Sequence, residues 1–205
     1  MPPANDTDRS DLCQSRNEEL ANAVTHGIGA VGSVVALILM LVVASGPWQI
    51  VSAAIFGSSL IVLYLSSTLY HSFSGQRMKN LFQVLDHAGI YLLIAGTYTP
   101  LMLVTLRGPL GWSLFGVIWG LAFTGIGIKA CMTNNREHWA STALYVFMGW
   151  LVLGALVPLI KALPAAAIWL IVAGGLSYTL GVVFFALYRR FKFAHAVWHL
   201  FVLGG

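Results

Sequence analysis

Five residues have the types and spacings from which a metal centre can be built. His195 and His199 stand four apart, so on a helix their imidazoles stack on one face, as a shared ion requires. Ser67 and His71 repeat that spacing, and Asp86 lies in the next apolar stretch. Three neutral imidazoles make a catalytic zinc set that leaves a fourth position for water, and zinc brings the pKa of such a water to about 7. Asp86 would orient that water, accept its proton, or hydrogen-bond a ligand histidine, and Ser67 would share a hydrogen bond with the water. The ion in turn gives Asp86 a reason to stay ionised in apolar surroundings. Singly, each residue has a plainer role, since a lone His or Ser within an apolar helix commonly serves as a helix–helix contact.

The elements that must position these residues are membrane helices. Of 205 residues, 58% are apolar and 9% charged, against about 25% charged in a soluble domain. So little polar surface suits lipid as the solvent. A span needs roughly 20 apolar residues. Seven candidates are read at about 23–44, 49–71, 82–105, 110–131, 140–160, 165–188 and 194 to the end. The separators are Ser45-Gly46-Pro47, Ser72 to Asn80, Arg107-Gly108-Pro109, Thr133 to Glu137, Lys161 to Pro164 and Arg189 to Phe193. The fold class expected is an all-α integral membrane protein, a seven-transmembrane-helix bundle. Residues 1–20 form a polar tail carrying Asp6, Asp8, Asp11, Glu18 and Glu19, and 21–205 the helical domain. The tail lacks the basic-then-apolar order of a cleaved signal peptide. The seventh segment has only 12 residues, about 18 Å of helix, and Gly204-Gly205 offers no anchor, so the native chain is expected to run on.

Nine of the eleven Lys and Arg residues fall on one side of such a bundle, with only Arg107 and Lys161 on the other. The positive-inside rule then puts the N-terminus in the cytoplasm. With that direction His71 ends helix 2 at the cytoplasmic side, Asp86 lies near the cytoplasmic start of helix 3, and His195 and His199 open helix 7. Ser67 sits one turn deeper than His71. All five reach a similar depth, and intramembrane polar groups are costly enough to mark function. A second polar group, Glu19, Asn22 and His26, lines one face at the start of helix 1 and is read as a packed contact near the metal cluster. Glu18 suits the positive end of the helix dipole. His87 points about 100° away from Asp86 and is read as structural. His138 receives no role. Tyr70, Trp139 and Trp198 fit interfacial or packing positions, and the glycines of helices 1, 4 and 6 permit close helix approach. Cys13 and Cys131 look like free thiols. The basic residues sit singly or in pairs between apolar runs, which excludes a nucleic-acid face.

The runs Glu19-Leu-Ala-Asn22-Ala-Val-Thr-His26-Gly, Ser67-Thr-Leu-Tyr-His71, Leu85-Asp86-His87-Ala-Gly-Ile90 and His195-Ala-Val-Trp-His199 together resemble the hemolysin III family, the bacterial branch of the progestin and adiponectin receptor superfamily. The resemblance extends from Glu19 to Gly205. It implies seven helices, a cytoplasmic N-terminus and residence in the bacterial plasma membrane. It also implies zinc on His71, His195 and His199, with Ser67 and Asp86 beside the zinc water. Similar sites occur in alkaline ceramidases, which hydrolyse amides, and ceramidase activity is proposed for adiponectin receptors. The expected function is therefore a zinc-dependent hydrolase of lipid amides or esters, its partner a membrane lipid. The alternatives are a non-enzymatic, metal-stabilised sensor or regulator, and a membrane-lytic protein. No helix carries the continuous polar stripe of a wide channel.

Overall fold

The computed structural model describes residues 14–131 and 139–205. Cys13, Arg136, His138 and the acids Asp6, Asp8 and Asp11 lie outside the described residues. Among the described residues seven helices follow one another: α1 Arg16–Val43, α2 Pro47–Ser72, α3 Gln76–Thr105, α4 Pro109–Cys131, α5 Trp139–Ala162, α6 Ala165–Leu187 and α7 Ala194–Gly204. The first six are long and apolar enough to cross a membrane, and α7 has 11 residues. No strand occurs among the described residues.

Two helices start earlier than hydrophobicity alone predicts. α1 begins at Arg16 because Ser15 and Glu18 close a capping box there, satisfying N–H groups that a polar first turn leaves open. α3 begins at Gln76, and its first turn is tied by Gln76 Nε2 donating to Asn80 Oδ1 at 2.7 Å. The α2–α3 connection is thereby only Phe73–Gly75.

Tyr91, Met102, Ile118, Met148 and Leu159 fill an apolar core among α3, α4 and α5, while α1 turns small and polar groups inward and large apolar ones outward. On α1 the buried residues are Asn22, His26, Gly29 and Ser33, a stripe at helical spacing. Its Val24, Ile28, Val31, Val35 and Val42 are exposed. Lipid takes the place of a hydrophobic core on that outer face, so helices are held by close approach and hydrogen bonds. The α2–α3 seam illustrates this. A Cβ on Gly96 would stand 2.2 Å from Ser59 Oγ, and one on Gly89 3.0 Å from the Cα of Leu63.

Two helices depart from α geometry, each beside a proline. After Pro100, α3 widens into a π turn over Leu101–Thr105, closed by Leu106 N–H donating to the Leu101 carbonyl at 2.9 Å. In α5 the stretch Leu151–Ala155 narrows to a 3₁₀ helix. Pro158 follows, and its ring would clash with the Gly154 carbonyl in an unbroken α-helix. Tyr98 of α3 repairs this break. Its hydroxyl donates to the Met148 carbonyl at 2.8 Å and accepts from Val152 N–H at 2.7 Å.

Candidate metal centre

α2 and α7 bring His71, His195 and His199 together. One ring nitrogen from each lies within 4.8 Å of the others, and all three side chains are buried. Ring centroids stand 4.6 Å apart for His195–His199, 5.2 Å for His71–His195 and 5.3 Å for His71–His199. His71 ends α2, while α7 is placed from its start. Glu18 of α1 holds Ser15 with Oε2 and accepts the Phe193 N–H on Oε1 at 3.0 Å. Phe193 itself sits in the left-handed region, φ 60, ψ 4, which turns the chain sharply into α7.

The buried cluster has unspent ligand capacity. His71 Nε2 and both nitrogens of His195 are buried without a hydrogen-bond partner. An unpaired buried polar atom costs about 1–3 kcal/mol, and a divalent ion with three imidazole ligands removes that cost. The residues present therefore fit a metal.

The polar group of α1 comes to the same place. Glu19 Oε2 accepts from His71 Nδ1 at 2.6 Å, and its Oε1 accepts from Lys79 of α3. The Lys79 ammonium also lies 5.1 Å from the Tyr70 ring centroid. His26 stacks flat on His199, centroids 3.5 Å apart and planes 12° apart, and meets Tyr64 edge-on. Asn22 is fully buried, its Nδ2 donating to Gln14. Ser67 is fully buried with an unpartnered Oγ.

Asp86 is buried and stands outside the three-histidine group, facing instead a cavity of about 610 Å³. His26, His87, His195 and His199 share that polar end. The remaining wall is mostly apolar, with Leu101, Leu153, Leu156 and Ile168 among its residues and a few hydroxyls such as Thr97 and Thr179. From Asp86 to Leu101 is 15 residues of α3, roughly 22 Å of rise. His87, set aside from the sequence, is thus part of the cavity wall, and its carbonyl accepts from Tyr145 OH at 3.1 Å. Two contributors escaped the sequence reading. Lys79 falls in an expected connection but belongs to α3, and Thr25 Oγ1 lies 3.1 Å from His199 Nδ1. Thr25 lies three residues after Asn22 on the same face, but a helical Thr so often bonds its own backbone that this is a weak signal.

A multi-pass α-helical membrane protein with three buried histidines converging between α2 and α7 is the class so defined. The family model Haemolysin-III related matches residues 14–205, and the chain belongs to that family, part of the progestin and adiponectin receptor superfamily. Hemolysin-3 of Bacillus cereus is 48% identical over 95% of this chain and 89% of its own length. The Hemolysin-3 homolog of Bacillus subtilis (strain 168) is 44% identical over 92% of this chain and 89% of its own. The human Monocyte to macrophage differentiation factor is 31% identical over 90% of this chain and 78% of its own.

Proposed function

We propose that the protein is a zinc-dependent hydrolase of lipid amides or esters, working near the cytoplasmic face of the bacterial plasma membrane with its N-terminus inside. One observation carries the reading: the histidine cluster opens on a long, mostly apolar cavity whose polar end also holds Asp86. An amphiphile fits that division, its apolar chain among Leu101, Leu153 and Ile168 and its polar head at Asp86 and the histidines. His71, His195 and His199 would hold the ion. A bound zinc supplies a Lewis acid for a carbonyl and acidifies water. Asp86 accepts the proton of the attacking water on its carboxylate and returns it to the leaving amine or alcohol. Ser67 Oγ, buried and unpartnered, is available to orient that water. The apolar wall keeps bulk water from the reaction.

The test is turnover of a panel of ceramides, other lipid amides and esters by zinc-loaded protein in liposomes. Hydrolysis lost in Asp86→Asn and in the His195→Ala/His199→Ala pair is expected. No hydrolysis across the panel by metal-loaded protein overturns the reading. A second reading has its own support: the histidines and their Glu19 partner tie α1, α2 and α7 together, so an ion there would staple three helices. Metal-dependent change in α1–α7 distance, measured with spin labels and without turnover, would favour such a sensor.

A further inference from the structure

We infer that α1, which supplies none of the three clustered histidines, sets the tautomers of two of them, with Glu19 and Thr25 as positioning residues. A neutral imidazole carries one proton, and only the bare nitrogen can bind a metal. In free histidine the Nε2–H form is the commoner tautomer. The contacts from α1 impose the opposite.

At His71 the partner of Nδ1 is the Glu19 carboxylate, at 2.6 Å. A carboxylate beside the Lys79 ammonium is ionised and only accepts. Nδ1 therefore carries the hydrogen, and the lone pair stays on Nε2, the nitrogen that is buried without a partner. At His199, Nδ1 lies 3.1 Å from Thr25 Oγ1 and 3.3 Å from the Asn22 carbonyl oxygen. The Thr25 hydroxyl spends its hydrogen on the Ala21 and Asn22 carbonyls, 2.9 Å from each. Its oxygen is left to accept, and the carbonyl can do nothing else. His199 Nδ1 is therefore also the protonated nitrogen, and its Nε2 keeps the lone pair. Both assignments come from one helix face, Glu19, Asn22 and Thr25, at spacings of three.

His195 is the contrast. Neither of its nitrogens has a partner, so no neighbour selects its tautomer. The site is preset at two positions and adjustable at the third. Outer hydrogen bonds of this kind orient ligands and raise their basicity, and losing one typically costs 10–100-fold in metal affinity.

The inference uses the metal reading above for its purpose, but its first measurement needs no metal. Long-range ¹H–¹⁵N correlation spectra of ¹⁵N-histidine-labelled, metal-free protein in lipid nanodiscs report each tautomer directly. Nδ1–H signals are expected for His71 and His199. Glu19→Ala should release His71 to a mixture and leave His199 unchanged. Thr25→Val, which leaves only the longer carbonyl contact, should loosen His199 alone, and Thr25→Ser should restore the parent spectrum. Zinc and cobalt(II) affinities, measured by chelator competition, should fall about 10–100-fold in Glu19→Ala and toward the low end of that range in Thr25→Val. Nε2–H forms at His71 or His199 in the parent protein, or a His71 tautomer indifferent to Glu19→Ala, overturn the inference. A parent with the expected tautomers that binds neither zinc nor cobalt upholds it and overturns the metal reading instead.

Discussion

The α2–α3 seam and the α5–α6 wall are built on opposite terms. At the seam, backbones touch: a Cβ on Gly96 would collide with Ser59, and one on Gly89 would press on the Leu63 backbone. Along the wall, Gly149 and Gly175 have nothing within 4 Å of where a Cβ would sit. The seam presents Ser67, His71 and Asp86, and the wall lines the apolar end of the cavity. The lesson is a division of labour. Groups that need fixed positions grow from helices locked by close approach, and the surface that meets an alkyl chain is left open. α5 is even broken there, its freed backbone groups held by Tyr98.

That contrast can be broken at four places, in falling order of effect. The His195→Ala/His199→Ala pair removes two of the three clustered imidazoles, so metal content by elemental analysis should fall to background while the helical circular dichroism persists. Metal retained at parental level would separate the cluster from metal binding. Gly96→Val drives two methyl groups into Ser59 at the seam. Stability should drop toward the upper end of the roughly 1–3 kcal/mol usual for overpacking, read as a lower thermal midpoint. Tyr98→Phe leaves the Val152 N–H and the Met148 carbonyl without their hydroxyl partner. About 1–3 kcal/mol should be lost, with faster amide exchange confined to the middle of α5. Gly175→Ala, facing open space, should be neutral or raise stability by about 0.5–1 kcal/mol through helix propensity. A loss there as large as at Gly96 would mean that the wall is no looser than the seam.

Much of this was legible in the sequence, for identifiable reasons. Helical periodicity alone puts Ser67 over His71 and His195 over His199, and the alternation of spans brings α2 and α7 to one depth. The structure adds the convergence of the three imidazoles, and it brings Glu19, Asn22 and His26 against them. What stayed hidden depends on relations between helices. Nothing in the order of residues says that Lys79 reaches across to Glu19, or that Thr25 faces His199. The early starts of α1 and α3 were missed because a span is recognised by apolar content, and capped polar turns carry none. Pro158 stands inside the span expected over 140–160 and is a reason for the irregular stretch in α5 that apolar content alone does not reveal, and which hydroxyl repairs it is a tertiary matter. The cavity, being a lack of side chains between helices, has no residue to announce it.

The contacts between α1 and α7 join residues 174 and 175 positions apart. During synthesis α1 therefore waits in the bilayer while every intervening segment leaves the ribosome. Until α7 arrives, Asn22 and His26 face lipid or provisional neighbours, an expensive state for polar groups. Such distant pairings form late. Closure of α1 on α7 therefore waits for the last segment of the sequence to be made, and α1 must hold its place until then through its contacts with α2, such as His26 against Tyr64.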